Sequence, residues 1–320
     1  MGASLKRYNA AIIVAVIVLV VSPFIWSSDS LMDNSILAAV FALLALSAGM
    51  SYGQAGIPSV ATAAFAAIGA YCTAIVSIRF NVPSYVGLPL AVLVPGIVAY
   101  PVARAVSRLS PLPLSIATLV LSGVVEIAIR EGGDFTGGYV GLSGIAPLLD
   151  FGGMGAIHLF AWFMVVVVLV FYANLMDSAF GRAVNTTRHD PMRAQADSVD
   201  TGCILSVFFS LSACVAGLGG WIYAHYISYL GPESLTTATS ISVLLMAIIG
   251  GARTLLGPVV GAVLLTIITN LLPASETQGM VYGGALVIAL CLAPRGIVGT
   301  IRLTRPGKAP ATGLVSREGS

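Results

Sequence analysis

Long apolar stretches separated by short polar breaks run through most of this chain. Apolar runs cover residues 10–26, 35–52, 59–78, 86–102, 114–129, 157–175, 203–226, 240–250, 256–272 and 280–292. A helix needs about 20 apolar residues to cross a hydrocarbon core, and only an element that satisfies its own backbone can do so. The pattern therefore predicts an all-α polytopic membrane protein with about ten transmembrane helices. Several runs are shorter than that, 240–250 the shortest. One water-soluble, helical stretch interrupts the second half: DSAFGRAVNTTRHDPMRAQADSVDT, residues 177–201. Arg182-Ala183-Val184 favours helix, His189-Asp190-Pro191 breaks it, and Met192–Ala196 starts again. Asp190 is placed as an N-cap and Pro191 in the first turn of the new helix. The stretch reads either as a plain connection or as a docking helix that inserts into a groove on a soluble partner. Its length, alanine content and mixed charges favour docking.

Composition excludes a soluble domain. The 320 residues are 58% hydrophobic and 9% charged, with mean hydropathy +0.98, where a globular domain carries roughly 25% charged residues. The distribution of charge says more than its sum. Lys6, Arg7, Arg104, Arg108, Arg182, Arg188, Arg193, Arg253, Arg295, Arg302, Arg305, Lys308 and Arg317 fall on one side of a ten-span arrangement, with Arg79 and Arg130 opposite. Arg and Lys mark the cytoplasmic side, so both termini and residues 177–201 are expected there. The transmembrane body is placed at 1–303, and the polar tail 304–320 is expected to be disordered. The start of the chain imitates a signal peptide but lacks an Ala-x-Ala-like exit, so a retained first helix is expected. Cys72, Cys203, Cys214 and Cys291 all lie in apolar runs and read as small buried hydrophobes.

Enzyme chemistry is poorly supported. His158, His189 and His225 lack metal-ligand spacing, no Gly-x-Ser-x-Gly elbow is present, and the only lysines are Lys6 and Lys308. With no phosphate-binding loop, any ATP that drives this chain is hydrolysed on a partner. Glu126 is the one acid well inside an apolar run, but Arg130 follows four residues later on the same face. A structural ion pair is favoured over a substrate or proton site. Gly53-Gln54-Ala55-Gly56-Ile57-Pro58 interrupts a long apolar run. It reads either as tight packing with a cytoplasmic turn, or as a discontinuous segment with Gln54, Ser59 and Thr62 lining a translocation path. The outer segment 134–144 holds four glycines among eleven residues after Thr136 and is either a flexible connector or a sharply folded contact loop.

Ordered blocks spanning about 36–302 carry a family resemblance. They are Ala63-Ala64-Phe65-Ala66-Ala67-Ile68-Gly69-Ala70-Tyr71; Thr136-Gly137-Gly138 with Gly141-Leu142 and Gly144-Ile145; Phe180-Gly181-Arg182-Ala183; Gly257-Pro258-Val259 with Gly261-Ala262; and Pro294-Arg295-Gly296-Ile297. Together they resemble the permease subunits of bacterial ABC importers for branched-chain amino acids and related amides such as urea. The resemblance implies an ABC-importer permease fold in the bacterial cytoplasmic membrane. It also implies a second related permease subunit, two cytoplasmic ATPase subunits holding ATP and Mg, and a periplasmic or extracellular binding protein. No cofactor or nucleic acid is expected on this chain itself. Coupling to the ATPase falls to Phe180, Gly181, Arg182, Ala183, Arg188, Asp190, Arg193, Ala194 and Ala196. Path-lining positions are Gln54, Ser59, Thr62, Phe65, Tyr71 and Thr118, and the outer contact is Thr136, Gly137, Gly138 and Gly141. The family's usual Gly-Gln-x-Ser-x-Gly-His is replaced by Gly56-Ile57-Pro58-Ser59-Val60-Ala61-Thr62, and its Gly-x-Tyr-Phe by Leu112-Pro113-Leu114-Ser115. These departures point to a small polar solute that need not be leucine, isoleucine or valine. An ion-coupled secondary transporter is the competing reading, and an intramembrane enzyme a distant third.

Overall fold

A computed structural model describes residues 2–25, 28–106, 111–148, 153–197, 199–270, 284 and 297–298. The described chain is mostly helix. Its elements in order are α1 (Gly2–Ile25), α2 (Asp29–Ala48), α3 (Thr62–Phe80), α4 (Ser84–Val106), α5 (Pro111–Glu131), β1 (Leu142–Ser143), α6 (Gly153–Asp177), α7 (Ala179–His189), α8 (Pro191–Ala196), α9 (Thr201–Ile227), β2 (Tyr229–Leu230), α10 (Thr237–Gly250) and α11 (Gly257–Asn270). Six stretches are long and apolar enough to cross a membrane, and Ala10–Val20, α10 and α11 are shorter apolar helices. These nine correspond to the first nine expected runs. Apart from Gly284, the tenth, 280–292, lies outside the described residues, as do the tail 304–320 and Cys291. The other three cysteines are free thiols and only half-buried, which corrects the expectation of full burial.

Lipid tails are as apolar as leucine, so close backbone approach must hold such helices together. Helix α9 packs along α3 and α4 and also against α2, with α2 in turn packed on α6 and α11. In the most apolar stretch of α2, 83% of residues are buried, against 22% in α5. The core therefore sits around α2, α3 and α9, while α5 presents most of its surface outward.

Helix α4 contains Pro89, Pro95 and Pro101 yet stays continuous. Each proline lacks the N–H that would bond four residues back, so Pro95 leaves the carbonyl of Ala91 without a helical donor. That carbonyl faces α9 at Gly217 and α3 at Gly69. A Cβ on Gly69 would lie 2.7 Å from the Gly217 Cα and 2.9 Å from the Ala91 carbonyl oxygen. Glycine is required there because three backbones meet with no room for a side chain. Buried polar groups fasten the same bundle: Ser47 Oγ donates to the Ser212 carbonyl at 2.7 Å, Ser210 Oγ to that of Gly96 at 2.6 Å, and Trp221 Nε1 to that of Ser84 at 3.0 Å.

Among the described residues the only strands form a short antiparallel ribbon, in which Leu142 faces Leu230 and Ser143 faces Tyr229. It joins the segment after α5 to the end of α9. Sequence periodicity did not reveal it, because strands of two residues carry no period.

Candidate functional site

The contacts sort the polar residues to two ends of the bundle. Gln54 Nε2 donates to the Arg253 carbonyl at 3.2 Å. The Arg188 side chain lies 3.5 Å from where a Cβ on Gly56 would stand. Arg104 pairs with Asp200 at 3.2 Å. These groups share one end with α7 and α8. Arg130, Glu233, the 134–144 segment and the β ribbon gather at the other, where the Arg79 guanidinium lies 4.8 Å over the Phe135 ring.

At the first end, α6 turns sharply into α7. Ser178 is the N-cap, its Oγ accepting from the Gly181 amide at 3.2 Å. Gly181 lies against the backbone of Leu175 and Met176, and any side chain there would collide with their carbonyls. Gly181, Val184 and Thr187 form the buried face of α7, at the three-residue spacing of one helix side. The Phe180 ring stands 6.2 Å from that of Phe208 on α9. Arg182, Asn185 and His189 point to solvent. Asp190 then caps α8 as expected, its Oδ1 accepting from the Arg193 amide at 3.0 Å, with Pro191 in the first turn. Ala194 is buried, while Arg193 and Ala196 are exposed and Met192 is 78% exposed. Asn185, His189, Asp190 and Arg193 help to line an open polar notch of about 360 Å³ between the two helices. Burial, with Arg253 nearby, lowers the Arg188 pKa. The hydrogen bond from Arg104 depresses that of Asp200, which also caps α9 through the Cys203 amide at 2.9 Å.

The expected break between α2 and α3 is present, though entered differently. The α2 helix continues as a π-helix, Gly49–Gln54, and residues 55–61 are non-helical. Gly53 abuts the Ala252 carbonyl, so the widened turn passes against the α10–α11 connection. The first turn of a helix has amides without helical acceptors. Around the start of α3 they find side chains: Val60 N bonds Thr118 Oγ1 at 3.1 Å, Ala61 N bonds Ser59 Oγ at 3.2 Å, and Ala63 N bonds Ser240 Oγ at 2.9 Å. Elements α3, α5 and α10 thus meet at the discontinuity.

The residues assigned to a path do not form one cluster. Ser59, Thr118 and Thr62 lie at this junction, all buried. Phe65 packs edge-on to Phe209 with centroids 5.6 Å apart. Gln54 sits at the α7 end, whereas Tyr71 Oη donates to the Leu230 carbonyl beside the β ribbon at 3.3 Å. Ser240 was missed as a junction residue; only its hydroxyl, at the start of an apolar run, hinted at a cap for a neighbouring helix.

The glycine-rich segment is sharply folded. Gly137, Gly138, Gly141 and Gly144 all have positive φ, a region open mainly to glycine. Thr136 Oγ1 donates to the Ile129 carbonyl at 2.6 Å, and the Gly141 amide bonds the Gly137 carbonyl at 3.0 Å. The fold pushes out Tyr139 and Val140, 72% and 81% exposed.

Glu126 and Arg130 do form the expected pair, at 3.0 Å, and Arg130 also reaches Glu233 at 3.2 Å. The second Glu126 oxygen accepts from the Thr237 amide and hydroxyl, both at 3.3 Å, at the start of α10. The acid joins α5 to α10. Replacing it as Glu126→Gln is expected to cost about 1 kcal/mol or less, as for partly exposed pairs, and to leave solute uptake unchanged. Thermal shift and uptake assays check this; abolished uptake with an unchanged melting temperature would give Glu126 a transport role.

Among the described residues, no group of three or more His, Cys, Asp or Glu side chains is placed to hold a metal. No solved structure matches the chain. It is 27% identical to the high-affinity branched-chain amino acid transport system permease protein LivM of Salmonella typhimurium, over 95% of this chain and 77% of that one. The LivM protein of Escherichia coli is 26% identical, over 92% and 75%. The probable branched-chain amino acid transport permease protein LivH of Methanocaldococcus jannaschii is also 26% identical, over 80% and 88%. A family model described as branched-chain amino acid transport system / permease component matches residues 30–290, and the chain belongs to that family.

Proposed function

We propose that this chain is a permease subunit of a binding-protein-dependent ABC importer, carrying a small polar solute inward, with a branched-chain or other amino acid as the first candidate. ATP and Mg are held by two ATPase subunits that dock on α7 and α8 at the cytoplasmic face. A second related permease completes the membrane unit, and a binding protein delivers solute to the outer end near Tyr139 and Val140. About ten spans with both termini cytoplasmic complete the arrangement. The observation that carries this reading is the capped α7–α8 pair, inserted between two membrane-length helices with its polar face outward. Family membership supports it and does not favour the ion-coupled alternative.

The α7 helix is well placed to transmit a state change. Its buried face rests on α9 through Phe180, and Arg188 lies against Gly56 in the broken segment that leads to α3. ATP binding that shifts α7 would bias the α2–α3 junction, where Ser59, Thr62 and Thr118 lie, between inward and outward openings. This is a linkage of two states, not chemistry on the solute.

Reconstitution in proteoliposomes with the two ATPases, the second permease and the binding protein tests the proposal. Leucine uptake, and uptake of other amino acids the binding protein retains, is expected to require ATP inside the ATPase compartment. Uptake that persists without the ATPases and collapses with the ion gradient would overturn it.

A further inference from the structure

Two arginines come together where α7 meets the break between α2 and α3. Arg188, near the end of α7, folds back over Gly56 instead of pointing outward with Arg182 and His189. A Cβ on Gly56 would stand 3.5 Å from Arg188 Cγ and 3.6 Å from its Nε. Arg253, in the α10–α11 connection, is tied to the same segment. Gln54 Nε2 donates to its carbonyl at 3.2 Å, and Gly53 abuts the carbonyl of Ala252 beside it. Arg188 is half-buried and Arg253 exposed.

Among the described residues, neither guanidinium makes an ion pair or a hydrogen bond. The ionisable groups that act on Arg188 are Arg253, Tyr52 and Tyr172, and none is a carboxylate. Nearby acids are engaged elsewhere: Asp200 pairs with Arg104 and caps α9, and Asp190 caps α8. Like charges held together at a partly buried place repel. A carboxylate between them relieves the repulsion and accepts charge-assisted hydrogen bonds from both planar forks.

Location selects the source of that anion. The π-helical turn beneath the two arginines is buried at Gly49, Met50, Ser51 and Gly53. They therefore stand over the interior of the bundle and not at its lipid-facing perimeter, where phospholipid headgroups lie. Arg253 and the outward face of α7 are both exposed at this end. A protein that covers α7 comes within reach of both guanidiniums, and it carries its carboxylates on a fixed frame.

We infer that the ATPase subunit docking on α7 and α8 inserts an Asp or Glu carboxylate between Arg188 and Arg253, an inference that rests on the importer reading above. One carboxylate then grips α7 and the α10–α11 connection together, across the broken segment Gly53–Gly56. Movement of the ATPase is felt at α10 and α11 as well as at α7.

The chain's only lysines are Lys6 and Lys308, which makes a zero-length cross-link readable. With both changed to arginine, Arg188→Lys or Arg253→Lys puts the single lysine at the site. A water-soluble carbodiimide then joins that amine only to a carboxylate it touches. In the co-purified importer, tandem mass spectrometry is expected to find this lysine joined to an Asp or Glu of the ATPase. Arg79→Lys, at the opposite end, should give no ATPase product. Titration of ATPase onto the permease pair in detergent adds an affinity readout. The double variant Arg188→Gln, Arg253→Gln is expected to raise the dissociation constant about tenfold at low salt. The difference should close at about 1 M salt, where the Debye length is about 3 Å; a loss that persists there would be structural and would overturn the inference. A cross-link within the chain, to Asp190 or Glu318 for example, or none while the ATPase still co-purifies, would overturn it and leave the importer reading standing. So would thermal stabilisation of the permease pair by inorganic phosphate that the double variant loses, because the occupant is then a small anion. Absence of any ATPase from the wild-type complex would overturn both.

Discussion

Gly217→Val is expected to abolish recovery of folded protein, whereas Gly123→Ala is expected to leave it intact. Both glycines lie inside long helices, and propensity alone would make each substitution mildly favourable, by about 0.5–1 kcal/mol for alanine. Packing separates them. Gly123 has no heavy atom within 4 Å of where its Cβ would stand. At Gly217 that atom would collide with the Ala91 carbonyl and lie 2.7 Å from Pro95 Cγ. The carbonyl gains nothing by turning back into its own helix, where the Pro95 ring stands in place of a donor. A valine must push α4 away from α9 and open the Gly69 contact on α3. Overpacking of this kind costs on the order of 3 kcal/mol or more, a large share of the stability of a membrane bundle. Fluorescence-detected size exclusion of the two variants decides the matter. A monodisperse Gly217→Val protein would mean that α4 and α9 are not as close as described.

Val184→Pro is expected to remove ATPase association while the membrane bundle stays folded. Val184 is fully buried in an eleven-residue helix. Proline there deletes the bond to the Phe180 carbonyl and drives its ring into the preceding turn, at about 3 kcal/mol. A helix this short has no reserve against that loss. Phe180 would leave Phe208, and the outward face carrying Arg182, Asn185 and Arg193 would lose its shape. The membrane-length helices make their own contacts elsewhere, so size-exclusion behaviour should match wild type. Co-purification with the ATPase subunits is the readout. Alanine at Arg182 or Arg193 should weaken the complex less, because the helix survives and only rim charges are lost. Undiminished co-purification of Val184→Pro would remove α7 from the docking surface.

Local chemistry was legible in the sequence and distant pairing was not. The Asp190-Pro191 start of α8 and the Glu126–Arg130 pair were readable because cap and i,i+4 geometry involve neighbours a few residues apart. The additional Glu126 contacts at Thr237, and the Arg130 contact at Glu233, join positions more than a hundred residues apart. The break after Gln54 was visible from glycine and proline. Its π-helical approach was not, and the Ala252 carbonyl that abuts Gly53 there belongs to a connection far away in sequence. Residues such as Ser59, Thr62 and Tyr71 looked equivalent as small or polar members of one helix. The fold puts them at different depths, Ser59 and Thr62 at the α3 start and Tyr71 at the β ribbon. The β ribbon and the Trp162–Ser35 contact left no trace in local pattern. Apolar periodicity names the spans, but small residues and serines decide which of them touch.

Helices α7 and α8 are expected to face the cell interior and the glycine-rich outer segment to face away. Cysteines placed at Met192 and at Tyr139, in a chain whose four native cysteines are replaced by serine, report on this with a membrane-impermeant maleimide. In intact cells, with the outer membrane permeabilised where there is one, Tyr139→Cys is expected to label and Met192→Cys to be spared, and inverted vesicles are expected to show the reverse. Labelling of Met192→Cys from outside intact cells would contradict the topology and, with it, the docking of an ATPase on these helices.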